Sequence, residues 1–180
     1  TTSINYNEHK LEKEFIRLAD YLLSEDHCFF MYRDFQARNI MLVNQEPFFI
    51  DYQGGRQGAL QYDLASLLFQ AKAQIPENIQ TELLHYYIEV ARLFIPINLE
   101  KFTEYFYAFA WVRVLQTLGA YGLRGIVERK THFLESIPFA INNLKKLGNK
   151  VSILNQLPEL KKITESIILT DIHYVNSKHK

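Results

Sequence analysis

Three short apolar runs set the frame for this chain: Cys28–Met31, Ile40–Val43 and Pro47–Ile50. Each is bounded by turn-forming or polar residues, which predicts strands rather than helices. Asn44-Gln45-Glu46 supplies a turn between the second and third runs, so these form a β-hairpin. Asn39 begins the first hairpin strand and Asp51 follows the end of the second. In an antiparallel pair those two positions share one end. The polar octet Tyr32-Arg33-Asp34-Phe35-Gln36-Ala37-Arg38-Asn39 enters the hairpin and carries Asp34 close to both.

An Asp, an Asn five residues on, and a second Asp closing a strand form a constellation with a chemical meaning. Phosphoryl transfer needs a carboxylate that orients the attacking hydroxyl and accepts its proton, and oxygen ligands for Mg²⁺. Asp34 suits the first task. Asn39 and Asp51 suit the second, because Mg²⁺ takes hard oxygen ligands. The octet follows the H-R-D-x-x-x-x-N pattern of a kinase catalytic loop, with Tyr32 at the His position. After Asp51 comes Tyr52-Gln53-Gly54-Gly55-Arg56, then Tyr62-Asp63-Leu64-Ala65. Over roughly residues 28–72 this block resembles the aminoglycoside phosphotransferase and choline kinase group. Within that group it looks most like bacterial sugar kinases of the N-acetylmuramate and N-acetylglucosamine type.

The resemblance implies a mainly α fold with a small β-hairpin, the C-terminal helical lobe of a protein-kinase-like fold. It assigns residues 1–170 to that lobe, with a catalytic loop at 32–39 and a metal-binding segment at 50–58. It implies Mg²⁺ as cofactor, ATP as co-substrate and a small-molecule acceptor. It also implies that Tyr32 and Asp63 brace the catalytic loop. A Tyr hydroxyl can do this only from further out than an imidazole, which puts fine positioning at stake. Asp63 has a local role open to it as well, at the first turn of a helix.

Gly54, Gly55 and Gly58 are three of only seven glycines in the chain. The cluster predicts a loop that uses positive φ or lets backbone approach a ligand. Arg56 in that loop, with Arg38 and Gln53 nearby, is a candidate for substrate or phosphate contact. A solvated ion pair is the plainer role for such an Arg.

The rest of the chain reads as helices. One spans about His9 to Ser24, with Leu11, Phe15, Leu18, Ala19 and Leu22 as its inner stripe. Others run from Gln61 to about Lys72 and from Pro76 to about Phe94. Asn98 caps an aromatic-rich helix over 99–121, without a capping box because Lys101 stands where Glu would. Its aromatic stripe reads as core, with a sugar platform as the minor reading. Arg113 falls on the inner side of that helix, where a charge needs a partner: a core carboxylate or a ligand. Gly119, Gly122 and Gly125 mark a break, and a further helix to Leu147 is kinked at Pro138. A last helix ends near Leu169, and 171–180 reads as a tail or linker whose His173 and His179 make no metal site.

Composition narrows the classes. With 48% hydrophobic and 14% aromatic residues in 180, the chain can bury a core. Twenty basic and 20 acidic side chains cancel, which argues against nucleic acid as a partner. No apolar run reaches the roughly 18 residues of a membrane span. The single Cys28 rules out an internal disulfide and fits a cytoplasmic protein.

No Gly-rich strand–loop–strand and no strand Lys of the V-A-I-K kind precede residue 25. The N-terminal lobe of the resembled fold is therefore expected elsewhere in a longer protein, with a fused C-terminal domain as a further possible partner. Alone, the chain is expected to turn over little or nothing. Two other readings stand beside the catalytic lobe. One is a degenerate kinase that senses a ligand for a fused domain. The other is a helical interaction scaffold, which leaves residues 32–63 unexplained.

Overall fold

The computed structural model describes residues 5–178, with side chains to Leu169. The chain is mainly helical: α1 (Glu8–Leu23), α2 (Leu60–Leu68), α3 (Glu77–Ala91), α4 (Leu99–Gly122), α5 (Thr131–Leu134), α6 (Ile137–Leu147) and α7 (Pro158–Lys178). Four short strands, β1 (Phe29–Met31), β2 (Ile40–Val43), β3 (Glu46–Phe49) and β4 (Arg56–Gly58), form two separate antiparallel pairs.

The core is built on α4, which packs against both α2 and α6. Ala108 and Ala110 on α4 and Ala65 on α2 are fully buried, and such small side chains let the helix axes approach. Trp111, Phe106, Leu68, Leu84, Ile88, Leu144 and Leu157 fill the space between. The aromatic stripe is therefore core: Phe102, Tyr105 and Phe106 are buried and Phe109 packs against them. Phe102, Tyr105, Phe106 and Trp111 are too buried to serve as a sugar platform. Asn98 caps α4 through its side chain, which accepts from Lys101 N at 2.9 Å.

The hairpin forms as its pattern predicts, with Ile40 opposite Phe49 and Val43 opposite Glu46. Asn44 and Gln45 have φ of 52° and 69°, the paired positive values of a two-residue turn matched to strand twist. The Gly54–Gly58 segment differs from expectation. No described glycine has positive φ. Instead β4 pairs with β1, Met31 opposite Arg56 and Phe29 opposite Gly58. A Cβ on Gly55 would lie 2.6 Å from the Phe30 ring, and one on Gly58 2.7 Å from Met31 Sδ, so close packing explains both residues. Nor is β1 wholly buried, because Phe30 is 68% exposed.

Helix ends move for tertiary reasons. α2 stops at Leu68, short of Lys72, because Gln80 Nε2 takes the Leu68 carbonyl at 2.8 Å and Asn143 Nδ2 the Phe69 carbonyl at 3.0 Å. Gly119 and Gly122 lie inside α4, and a π-type turn over Leu123–Val127 follows. Pro138 kinks nothing: it sits in the first turn of α6, where its missing N–H costs no bond. α7 continues past Leu169 to Lys178, so residues 171–178 of the expected tail are helical backbone. The His173 side chain and His179 lie outside what is described. No helix among the described residues is long and apolar enough to cross a membrane.

On α1, Glu14 turns inward and Phe15, at 50% exposure, turns out, against the stripe read from the sequence. Glu14 is buried because it caps α7: its carboxylate accepts from Glu159 N at 3.0 Å and Leu160 N at 2.8 Å. An amide keeps one acceptor and turns N–H toward the other donor. Glu14→Gln should therefore lower stability by about 2 kcal/mol, read as a lower urea midpoint at unchanged m-value.

Candidate active site

The hairpin register carries Asn39 to the end where Asp51 leaves β3. Ile40 faces Phe49, and one step further the Ile50 N–H donates to the Asn39 carbonyl at 3.0 Å. Asn39 is buried and turns its amide nitrogen on Asp34, donating to the backbone carbonyl at 2.8 Å and to Oδ2 at 3.2 Å. Arg38 Nη2 donates to the same Oδ2 at 2.8 Å, and Gln36 donates to Oδ1. A carboxylate offers about four lone-pair sites. Three are occupied here, and the site to spare is on Oδ1. The Asp34–Arg38 pair is too exposed to add much stability. Its consequence is orientation.

Two residues hold this loop from behind. The Asp63 carboxylate accepts from Tyr32 N at 2.5 Å and from Arg33 N at 2.9 Å. Burial pushes the Asp63 carboxyl above its usual range, while the two N–H groups and the nearby Arg113 charge pull it back. The buried Tyr32 side chain donates its hydroxyl to the Ile50 carbonyl, so its longer reach ties the loop to the residue before Asp51. Burial, and then the charges of Asp51 and Asp34, raise this phenol above its ordinary range. Backbone strain sits at both flanks: Arg33 has φ 74° and Asp51 φ 68°.

Asp51 is exposed, and its Oδ1 accepts from Gln53 Nε2 at 2.6 Å. Asp51 Oδ2 and Asn39 Oδ1 accept no hydrogen bond from the described residues. A carboxylate oxygen and an amide oxygen thus remain for a hard cation, a donor set that fits Mg²⁺ when phosphates and water complete it. Among the described residues no three His, Cys, Asp or Glu side chains form a metal cluster by themselves.

A cavity of about 600 Å³ opens beside residues 36–38 of the loop, and Asp34 is not in its lining. Gln36, Ala37 and Arg38 of the loop, Ser66, Gln70 and Lys72 around the end of α2, Arg113, Thr117 and Tyr121 of α4, and His132 line it. Its size is that of a small-molecule site. Arg113 is therefore in the cavity, as Arg38 is. Gln53 serves Asp51 instead, and Arg56 stands exposed on β4, away from the cavity lining. Gln36, Gln70 and His132 were not singled out by sequence reasoning, whereas Tyr121 belongs to the aromatic helix read from the sequence. Of the first three only Gln36, inside the octet, carried a signal.

On the other side of the loop an open apolar hollow of about 510 Å³ is lined by Phe30, Tyr32, Phe35, Pro47, Phe48, Phe49 and Tyr52. Phe30, Phe48 and Tyr52 are 68%, 51% and 63% exposed, an apolar patch of the kind that marks a binding surface.

No family model matches the chain. Over 132 residues, 71% of its length, the chain is 30% identical to the N-acetylmuramate/N-acetylglucosamine kinase of Neisseria meningitidis serogroup B (strain ATCC BAA-335 / MC58). The match spans 39% of that protein's length. The similarity is to a sugar kinase, in line with the type of enzyme that the octet and the Asp51 block resemble.

Proposed function

We propose that this chain is the catalytic lobe of an ATP- and Mg²⁺-dependent phosphotransferase whose acceptor is a hydroxyl of a sugar or amino sugar. The observation that carries the reading is that the hairpin register sets Asn39, in contact with Asp34, at the end where Asp51 leaves the strand, while residues 36–38 of the same loop wall a cavity of about 600 Å³. The similarity to a sugar kinase supports it.

In this reading the acceptor lies in the cavity and extends one hydroxyl from it to Asp34 Oδ1. As its oxygen bonds to the γ-phosphorus, the proton passes to Asp34 and the bond from phosphorus to the bridging oxygen of ADP breaks. Gln36, Arg38 and Asn39 hold the carboxylate still, so little reorganisation is needed. Asn39 Oδ1 and Asp51 Oδ2 would hold Mg²⁺, which neutralises phosphate charge when bound. The apolar hollow at Phe30, Phe48 and Tyr52 is where the nucleotide and a second lobe would pack.

The test is ADP release by the full natural protein containing this chain, with Mg²⁺-ATP and a panel of amino sugars, aminoglycosides and choline. Acceptor-dependent release with sugars is expected. Release that no acceptor stimulates would leave the reading without support.

A further inference from the structure

Helix α3 carries two apolar faces, and the core uses one of them. Gln80, Leu84 and Ile88 turn inward and are buried, and Tyr87 packs its ring on Phe102 with centres 5.9 Å apart. A second set, Ile79, Leu83, Tyr86, Val90 and Leu93, is exposed. Its spacing of four, three, four and three residues is that of a coiled-coil seam. The turn after α3 carries the seam on. There the Leu93 N–H donates to the Val90 carbonyl at 3.1 Å and the Phe94 N–H to the Ala91 carbonyl at 3.0 Å. Tyr86, Leu93 and Phe94 are 64%, 79% and 80% exposed.

The seam is larger than a soluble monomer usually leaves open. With roughly 200 Å² for a fully exposed residue of this size, the five seam residues and Phe94 together present roughly 700 Å². None of the six lines the cavity, or the hollow assigned above to the nucleotide and a second lobe, so the reaction does not account for them.

A coiled-coil seam needs a helix with a matching pattern. A second copy of α3 supplies one, across a two-fold axis that makes the patch self-complementary. The pair would bury about 1,400 Å², within the range of specific interfaces. Twenty basic and 20 acidic side chains cancel, so two copies meet without net repulsion. Local charge sets the direction. Glu82 and Glu89 flank the seam on one side, Tyr87 and Phe94 on the other. Antiparallel helices would bring Glu82 of one copy toward Glu89 of the other. Parallel helices set both glutamates against Tyr87 and Phe94 of the second copy. A flank of glutamates, rather than a row of Lys and Arg, also disfavours an anionic membrane surface.

We infer that the protein is a two-fold dimer whose copies join through the exposed seam of α3, with the two helices parallel. This holds whether or not the chain is a kinase.

The experiment is sedimentation velocity of the full natural protein, where a dimer is expected at about 10 μM. Tyr86→Glu puts a charge on an exposed seam position. It should raise the dimer dissociation constant about 100-fold or more and leave the far-UV circular dichroism unchanged. If that variant does not fold, Leu93→Lys, beyond the end of the helix, should have the same effect. With the exposed cysteines replaced by Ser, Cys28 among them, Leu83→Cys should join two copies by a disulfide on oxidation. Parallel helices hold the two new thiols side by side. Antiparallel helices centred on Tyr86 would part them by about 9 Å along the axis, beyond the reach of a disulfide. A monomer at about 100 μM overturns the inference, as does a dimer that both charged variants leave intact. A dimer that Tyr86→Glu breaks and Leu83→Cys does not cross-link overturns the parallel pairing. A monomer that binds phosphatidylcholine vesicles, and loses them in Tyr86→Glu, overturns the inference in favour of a lipid surface.

Discussion

Asp34→Asn should lower kcat of the full natural protein by about 10²- to 10⁴-fold, the range for loss of a positioned base. The substitution keeps the shape of the side chain and the Asn39 contact to the residue 34 carbonyl, which is main chain. It removes the proton acceptor. An amide also offers one oxygen where the carboxylate serves Gln36 through Oδ1 and Arg38 and Asn39 through Oδ2. Because the proton transfer belongs to the transition state, kcat and kcat/KM should fall together, with nucleotide affinity retained. Steady-state kinetics with a nucleotide-binding titration checks this. Unchanged turnover would remove Asp34 from the reaction.

The second large effect lies behind the loop. Asp63→Ala leaves the N–H groups of Tyr32 and Arg33 without their acceptor. The exposed Arg33 N–H can turn to water, but the Tyr32 N–H is half-buried, and an unsatisfied donor there costs about 1–3 kcal/mol. Burial already makes the Asp63 carboxylate costly, as its raised pKa indicates, and its removal returns part of that cost. The net loss of stability should be about 2 kcal/mol. Activity should suffer more than stability. Arg33 is held at φ 74°, and without its carboxylate partner it can relax to an ordinary conformation, taking Asp34 with it. A displacement near 1 Å at a reacting group costs about 10²-fold in rate. Urea unfolding and kcat, measured on the same variant, separate the two effects. A loss of stability with full activity would show that Asp63 supports α2 alone.

Much of this was legible in local sequence. The hairpin follows from two apolar runs and a turn, and its register alone brings Asn39 beside Ile50 and Asp51. The Asn98 cap and the burial of the α4 aromatics follow equally from local rules. What escaped depends on contacts distant in sequence. β4 is three residues, Arg56-Gln57-Gly58, with no apolar alternation, and it exists because β1 lies opposite. The stop of α2 is decided by amides on α3 and α6. Glu14 looks like a surface charge until α7 starts above it. The cavity draws its wall from the loop, α2, α4 and α5, so no single stretch announces it. Arg113 was legible as a charge in need of a partner, but not that its protein partners are a hydroxyl, an amide and a ring.

Phosphorus NMR of the full natural protein with Mg²⁺-ATP and an amino sugar tests the central claim most directly. The account predicts that the γ-phosphate signal is replaced by that of a sugar phosphate ester as ADP appears, and that Asp34→Asn stops the exchange. ATP left intact across a panel of sugars, or converted only to ADP and free phosphate, would contradict it.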